Sequence, residues 1–144
     1  MIAIGCDHGG YELKCAVMNY LLNRKIEYVD CGCGGERCDY PDIAEAVCKK
    51  VTGGECDRAI LICGTGIGMS MSANKIKGIR AAVCSDYYSA KYTRLHNNAN
   101  VLCLGGRVLG QGLALELVEV FLDTEFEGGR HTDRIEKMMK LEEK

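Results

Sequence analysis

Residues 59–68 read Ala59-Ile60-Leu61-Ile62-Cys63-Gly64-Thr65-Gly66-Ile67-Gly68. An apolar run leads straight into a glycine-rich turn, and the next stretch, Met69 to Lys75, holds neither Gly nor Pro. That order predicts a buried strand, a tight turn and a helix start, with a thiol on the turn. Glycine lets the backbone take positive φ and come close to a ligand. The first amides of a helix have no internal partner and carry the positive end of its dipole. An anion or a developing oxyanion fits there, and the same field lowers the pKa of a nearby thiol. Cys63 is therefore a candidate base or nucleophile. A cysteine after an apolar run also packs as plain core, and this stretch alone leaves both readings open.

The same strand–turn–helix order recurs on both sides of it. Strands are expected at 2–6, 26–30, 57–63, 79–84 and 100–104. Helices are expected at 11–23, 41–52, 66–76, 86–95 and 110–122, with a last one at 131–142 after a Gly128-Gly129 hinge. In the first helix Leu13, Val17, Tyr20 and Leu21 repeat at helical spacing, which assigns Glu12, Lys14 and Arg24 to the outside. Pro41, the only proline, suits a helix's first turn. Alternating strands and helices at these spacings predict an α/β fold with a five-stranded parallel sheet covered on both faces. Ligands of such sheets bind beyond the carboxyl ends of the strands. That edge gathers Asp7-His8, Cys63-Gly64-Thr65 and Gly105-Gly106-Arg107.

Composition narrows the class. A length of 144 residues suits a single domain, 1–144. Apolar content of 47% with 26% charged residues is that of a globular protein, and a net charge of −2 gives no pull towards nucleic acid or an anionic membrane. No apolar run approaches the ~20 residues of a membrane helix. Met1 to Cys6 shows no basic leader, so the expected location is the cytoplasm. There the ten cysteines stay reduced. Cys15, Cys48, Cys84 and Cys103 lie in apolar contexts and read as core. Cys31, Cys33 and Cys38 share one loop, 31–39, but no CxxC pair or neighbouring His completes a four-ligand zinc pattern, and no metal is expected.

The three histidines, His8, His96 and His131, all fall in loops or at helix ends beside polar residues. Arg130 and Arg134 stand four apart on one helical face, a spacing that suits a phosphate. Plainer readings exist: Asp7 is a favoured helix cap, and Asn97-Asn98-Ala99-Asn100 a helix stop. Gly64, Gly66 and Gly68 are spaced GxGxG, not GxGxxG, and no Walker lysine pattern is present, which disfavours a nucleotide. Together these groups describe a pocket for a small phosphorylated, hydroxylated molecule. Cations would take the phosphate, amides an oxyanion, and a thiol and an imidazole would move protons.

Several stretches then line up in order: Gly5-Cys6-Asp7-His8-Gly9, Asp39-Tyr40-Pro41, Ile62 to Gly68, Ala73-Asn74-Lys75, Gly78-Ile79-Arg80, His96-Asn97 with Asn100-Val101, and Glu127 to His131 with Arg134. From residue 2 to about 140 the chain resembles ribose-5-phosphate isomerase type B, a family that includes galactose-6-phosphate and allose-6-phosphate isomerases. The resemblance implies a Rossmann-like three-layer α/β/α sandwich with an additional C-terminal helix. It implies no cofactor, no metal, and a homodimer or a dimer of dimers. It implies that Cys63 is the base and that His96 opens the sugar ring. Asp7, His8, Gly64, Gly66, Ile67, Gly68, Asn97, Arg107, Arg130 and Arg134 would hold the substrate, with Tyr40 and His131 in the same matched stretches. Some members place a carboxylate base a few residues after the glycine turn. This chain has Met69-Ser70-Met71 there and belongs with the cysteine type.

The implied reaction moves a proton between C1 and C2 of a sugar phosphate through a cis-enediolate. Thr65 could add a hydroxyl to the oxyanion hole, and His96 has the unperturbed pKa of an acid–base group. The expected substrate pair is ribose 5-phosphate and ribulose 5-phosphate. A six-carbon sugar phosphate, or a non-catalytic binding module on the same fold, are the alternatives. The strand logic adds one expectation. Cys63 follows its strand and His96 precedes the next, so they lie at opposite edges of the sheet. A five-residue strand spans roughly 16 Å. His96 is therefore expected to serve the Cys63 of a neighbouring chain, in a homodimer with composite active sites.

Overall fold

The computed structural model describes residues 1–144. Strands β1 (Ile2–Cys6), β2 (Tyr28–Asp30), β3 (Arg58–Cys63), β4 (Ala81–Val83) and β5 (Val101–Gly105) form one sheet, ordered β2-β1-β3-β5-β4. Every pairing is parallel. Helices α1 (Tyr11–Asn23), α2 (Tyr40–Thr52), α3 (Ile67–Ala73), α4 (Tyr87–Asn97) and α5 (Gln111–Asp123) alternate with the strands, and α6 (Arg130–Lys140) follows.

Side chains of a strand alternate between faces, and the sheet uses both. Ile2, Ile4, Ile60, Ile62, Leu102 and Leu104 pack with Leu13, Val17 and Leu21 of α1 and Leu117, Val118 and Phe121 of α5. Ala3, Ala59, Leu61, Cys63, Val101 and Cys103 pack on the other face with Ala44, Val47 and Cys48 of α2 and Met69 and Ala73 of α3. The chain leaves β1 outwards to β2 and returns on the other side to β3. The order therefore reverses between β1 and β3, the switch point beyond whose carboxyl ends ligands of such sheets bind. No helix is long and apolar enough to cross a membrane.

Three differences from the sequence reading have physical causes. The edge strands β2 and β4 are shorter than expected, each pairing through only three residues with its single neighbour. Helix α3 ends at Ala73 because the Asn74 side chain turns away to bond both the N–H and the carbonyl of Ala81, at 2.8 and 2.9 Å. Lys14, assigned to the outside, is buried at 1% exposure. Its Nζ donates to Asp30 Oδ1 at 2.8 Å and to the Cys33 carbonyl at 2.5 Å. Periodicity sees a charged residue and cannot see the acceptors waiting beneath it.

Burial opposes the charge on Lys14, but the hydrogen bond it donates to Asp30 prevails and holds the ammonium above its ordinary pKa. Lys14→Met is expected to cost about 1–3 kcal/mol, because the Cys33 carbonyl loses its partner. The raised pKa fixes the sign of the pH dependence. Its contribution is intact below the ordinary lysine value of about 10.4 and is lost as pH rises through the folded value. Urea denaturation of parent and variant at neutral and strongly alkaline pH should show the gap closing only at the alkaline end.

Candidate active site

At the carboxyl edge of β3, the Gly66 N–H donates to Cys63 Sγ at 3.1 Å. The Ile67 N–H donates to Thr65 Oγ1 at 3.2 Å. The amides of Gly64, Thr65 and Gly68 make no hydrogen bond within the chain. Gly66 sits at φ +80, a left-handed conformation that tightens the turn, and a Cβ there would lie 2.9 Å from the Leu104 carbonyl carbon. Gly68 lies under the Tyr40 ring, where a Cβ would meet Cε1 at 2.5 Å.

Neighbouring loops are tied to this turn by backbone bonds. The Asp7 N–H donates to the Ile62 carbonyl at 3.1 Å, the Gly106 N–H to Cys63 at 2.8 Å and the Arg107 N–H to Gly64 at 3.0 Å. Asp7 Oδ1 accepts from the Gly9 N–H at 2.8 Å and so caps the short 3-10 turn His8–Gly10. The plain capping role is real, and it leaves His8 exposed beside the thiol turn. Arg107 is exposed and makes no ion pair, its Nη1 only 3.3 Å from where a Cβ of Gly64 would stand.

A second group forms at the opposite edge. Helix α4 runs back along the sheet, capped by Asp86, whose Oδ1 accepts from the Ser89 N–H at 2.7 Å. It ends at Asn98, left-handed at φ +47. Asn98 and Asn100 are structural: Asn98 Oδ1 accepts from buried Arg94 at 2.9 Å, and Asn100 Oδ1 from the Arg80 N–H at 2.8 Å. Asn97 stays exposed and uncommitted. The His96 ring stacks on His131 with centroids 4.1 Å apart, and Tyr92 meets His96 edge-on at 5.0 Å. Glu127 Oε2 lies 3.6 Å from His96 Nε2. Arg130 and Arg134 begin α6 beside this stack, exposed and without a carboxylate partner. A cavity of about 360 Å³ beside His96 and Asn97 is lined also by Val83, Tyr88 and Tyr92. A larger one of about 720 Å³, lined by Asn74, Arg80 and Met138 among others, reaches Asn97 but no thiol.

The structure thus brings together Asp7, His8, Tyr40, Cys63 to Gly68 and Arg107 in one group, and His96, Asn97, Arg130, His131 and Arg134 in the other. No hydrogen bond, ion pair or ring contact joins the two. The sequence reading missed Glu127 as the neighbour of His96. An acidic residue just before a Gly-Gly pair carries no signal of its own until α6 packs on α4.

A thiol beside uncommitted amides, at the switch point of a doubly wound parallel sheet, defines an α/β protein built to handle a small anionic metabolite. The chain belongs to the ribose/galactose isomerase family, whose sequence pattern matches residues 2–138. It is 49% identical to ribose-5-phosphate isomerase B of Escherichia coli, over 99% of this chain and 97% of that protein. It superposes on a ribose-5-phosphate isomerase B of Clostridium thermocellum with a TM-score of 0.97 at 51% identity, covering 99% of this chain and 97% of the other. The enzyme of Mycoplasma genitalium with bound ribulose 5-phosphate matches with a TM-score of 0.93 at 41% identity, covering 99% and 96%.

His131 is 4% exposed and its Nε2 has no hydrogen-bond partner. Burial first, then His96 and Arg130, push its pKa below the ordinary histidine value. An NMR titration should place its midpoint below about 6.5. A neutral buried His must be charged by acid, so stability is expected to fall as pH drops through about 6.5 towards the folded value. His131→Phe, which keeps a ring on His96, should remove that part of the acid loss.

Proposed function

We propose that this chain, one isomerase domain over residues 1–144, interconverts ribose 5-phosphate and ribulose 5-phosphate in the cytoplasm. The observation that carries the reading is the Cys63 turn. It joins a thiol that already accepts one amide hydrogen bond at 3.1 Å to a neighbouring set of uncommitted amides. An aldose–ketose isomerisation needs both elements, a base for the C2 proton and donors for the enediolate oxygen. Cys63 takes the proton from C2 and returns it to C1 on the same face. The amides of Gly64, Thr65 and Gly68 carry the oxyanion, and Thr65 holds the turn through Ile67. His96 moves the proton that opens the furanose ring, with Asn97 beside it. Asp7, His8 and Tyr40 bind hydroxyls, and Arg107, Arg130 and Arg134 neutralise the phosphate, with His131 backing the imidazole.

These roles need two chains. The five residues of β5 separate the edges by roughly 16 Å, against about 3 Å for a catalytic hydrogen bond. We therefore assign each site the Cys63, Asp7, His8 and Arg107 of one chain, and the His96, Asn97, Arg130 and Arg134 of its two-fold mate. Exposed Ile67 and Met71 of α3, Val83 of edge strand β4, and Tyr87 and Tyr88 of α4 supply an apolar surface for that contact.

Incubation with ribose 5-phosphate, allose 6-phosphate and galactose 6-phosphate should give ketose fastest from the five-carbon substrate. Cys63→Ala should lose about a hundredfold or more of turnover while still binding ribose 5-phosphate, the scale of a missing general base. Activity within tenfold of the parent would rule out Cys63 as base. Faster turnover of a six-carbon phosphate would move the substrate assignment, and binding without turnover of any would favour a binding module.

A further inference from the structure

The reaction leaves one thiol cluster unused. Loop 31–39 runs alongside the end of β1: the Cys6 N–H donates to the Gly32 carbonyl at 2.8 Å and the Cys33 N–H to Cys6 at 2.9 Å. This packing buries Cys33 at 3% exposure. Cys33 Sγ and Cys38 Sγ both point at the Glu36 carbonyl, at 3.1 and 3.5 Å. Its side chain folds back over Gly34, where a Cβ would stand 3.1 Å from Oε2. Cys31, the third thiol of the loop, faces away and packs on the opposite side of the sheet. The sulfur atoms of Cys33 and Cys38 and a carboxylate oxygen of Glu36 all lie within 4.8 Å of one another.

We propose that Cys33, Glu36 and Cys38 form a binding site for a soft divalent cation, zinc being the natural occupant, with a water as fourth ligand. Zinc prefers four tetrahedral ligands, with thiolates at about 2.3 Å and carboxylate oxygens at about 2.1 Å. Those lengths set ligand atoms about 3.5–3.8 Å apart. The present separations need only a small closure, on a loop carrying Gly34 and Gly35. A sequence search for CxxC or a neighbouring His misses the set because its third ligand is a carboxylate turned back between the two cysteines.

Zinc binding forms two Zn–S bonds and one Zn–O bond to Glu36, keeps one water of the hydrated ion as fourth ligand, displaces its other waters and releases the two thiol protons to solvent. No electron is transferred. Chelation would fix the segment that leads through Asp39 into Tyr40, and hence the ring that covers Gly68.

The test uses the full chain, reduced with a phosphine, freed of metal by a chelator, and titrated with cobalt(II) as a spectroscopic stand-in for zinc. A single equivalent should produce thiolate-to-cobalt charge transfer in the near ultraviolet and the visible bands of a tetrahedral centre, and zinc should abolish both. Cys33→Ser and Cys38→Ser should lose the bands, with circular dichroism checking the fold. Glu36→Gln, an exposed substitution that leaves the core untouched, should weaken cobalt binding by about tenfold or more. Cys63→Ala should bind as the parent does. The proposal is overturned if the parent shows no bands, if they survive Cys33→Ser, or if Cys63→Ala removes them. It is equally overturned if the loop takes up no cobalt and instead closes a Cys33–Cys38 disulfide in air.

Discussion

Strands β3 and β5 lie side by side in parallel register, Ala59 opposite Val101 and Cys63 opposite Gly105. That pairing decides what one chain can reach. Whatever follows β3 stands at one edge of the sheet, and whatever precedes β5 stands at the other. Both strands are buried on both faces, so neither can bend to bring the edges together. The thiol turn and the imidazole stack are thereby held apart by the same packing that makes the core.

The constraint also explains how the surface chemistry is distributed. Arg107, Arg130 and Arg134 carry no carboxylate partner, whereas Arg24 pairs with Asp123 at 3.0 Å and Arg58 with Glu125 at 3.7 Å. An unpaired guanidinium is the state expected of a group that awaits an anion. Two of the three stand at the edge of His96 and the third at the edge of Cys63. A phosphate held by all three would lie between chains.

Much of this was legible in the sequence because the deciding features are local. The run Ala59 to Cys63 announces a doubly buried strand, and Gly64, Gly66 and Gly68 announce the turn. Alternation then places Asp7, Cys63 and Arg107 at one edge without any knowledge of strand order. Features that depend on tertiary partners were not legible. Lys14 looks like a surface residue until Asp30 and the Cys33 carbonyl are seen beneath it. Glu127 has no visible role until α6 lies on α4. The Cys33–Cys38 loop fails every linear metal pattern because its carboxylate folds back. Asn98 proved to be the helix stop that its composition suggested, Asn100 instead ties the start of β5 to Gly78 and Arg80, and Asn97 between Asn98 and His96 stayed free.

The proposed site pairs Cys63 of one chain with His96 of another. It is tested by mixing Cys63→Ala with His96→Ala, each inactive alone, under conditions where subunit exchange is verified by mass. A mixed dimer holds one site with both residues intact. At full random exchange, activity should return to about a quarter of the parent. Activity that stays at zero despite proven exchange would place the whole site within one chain and contradict the account.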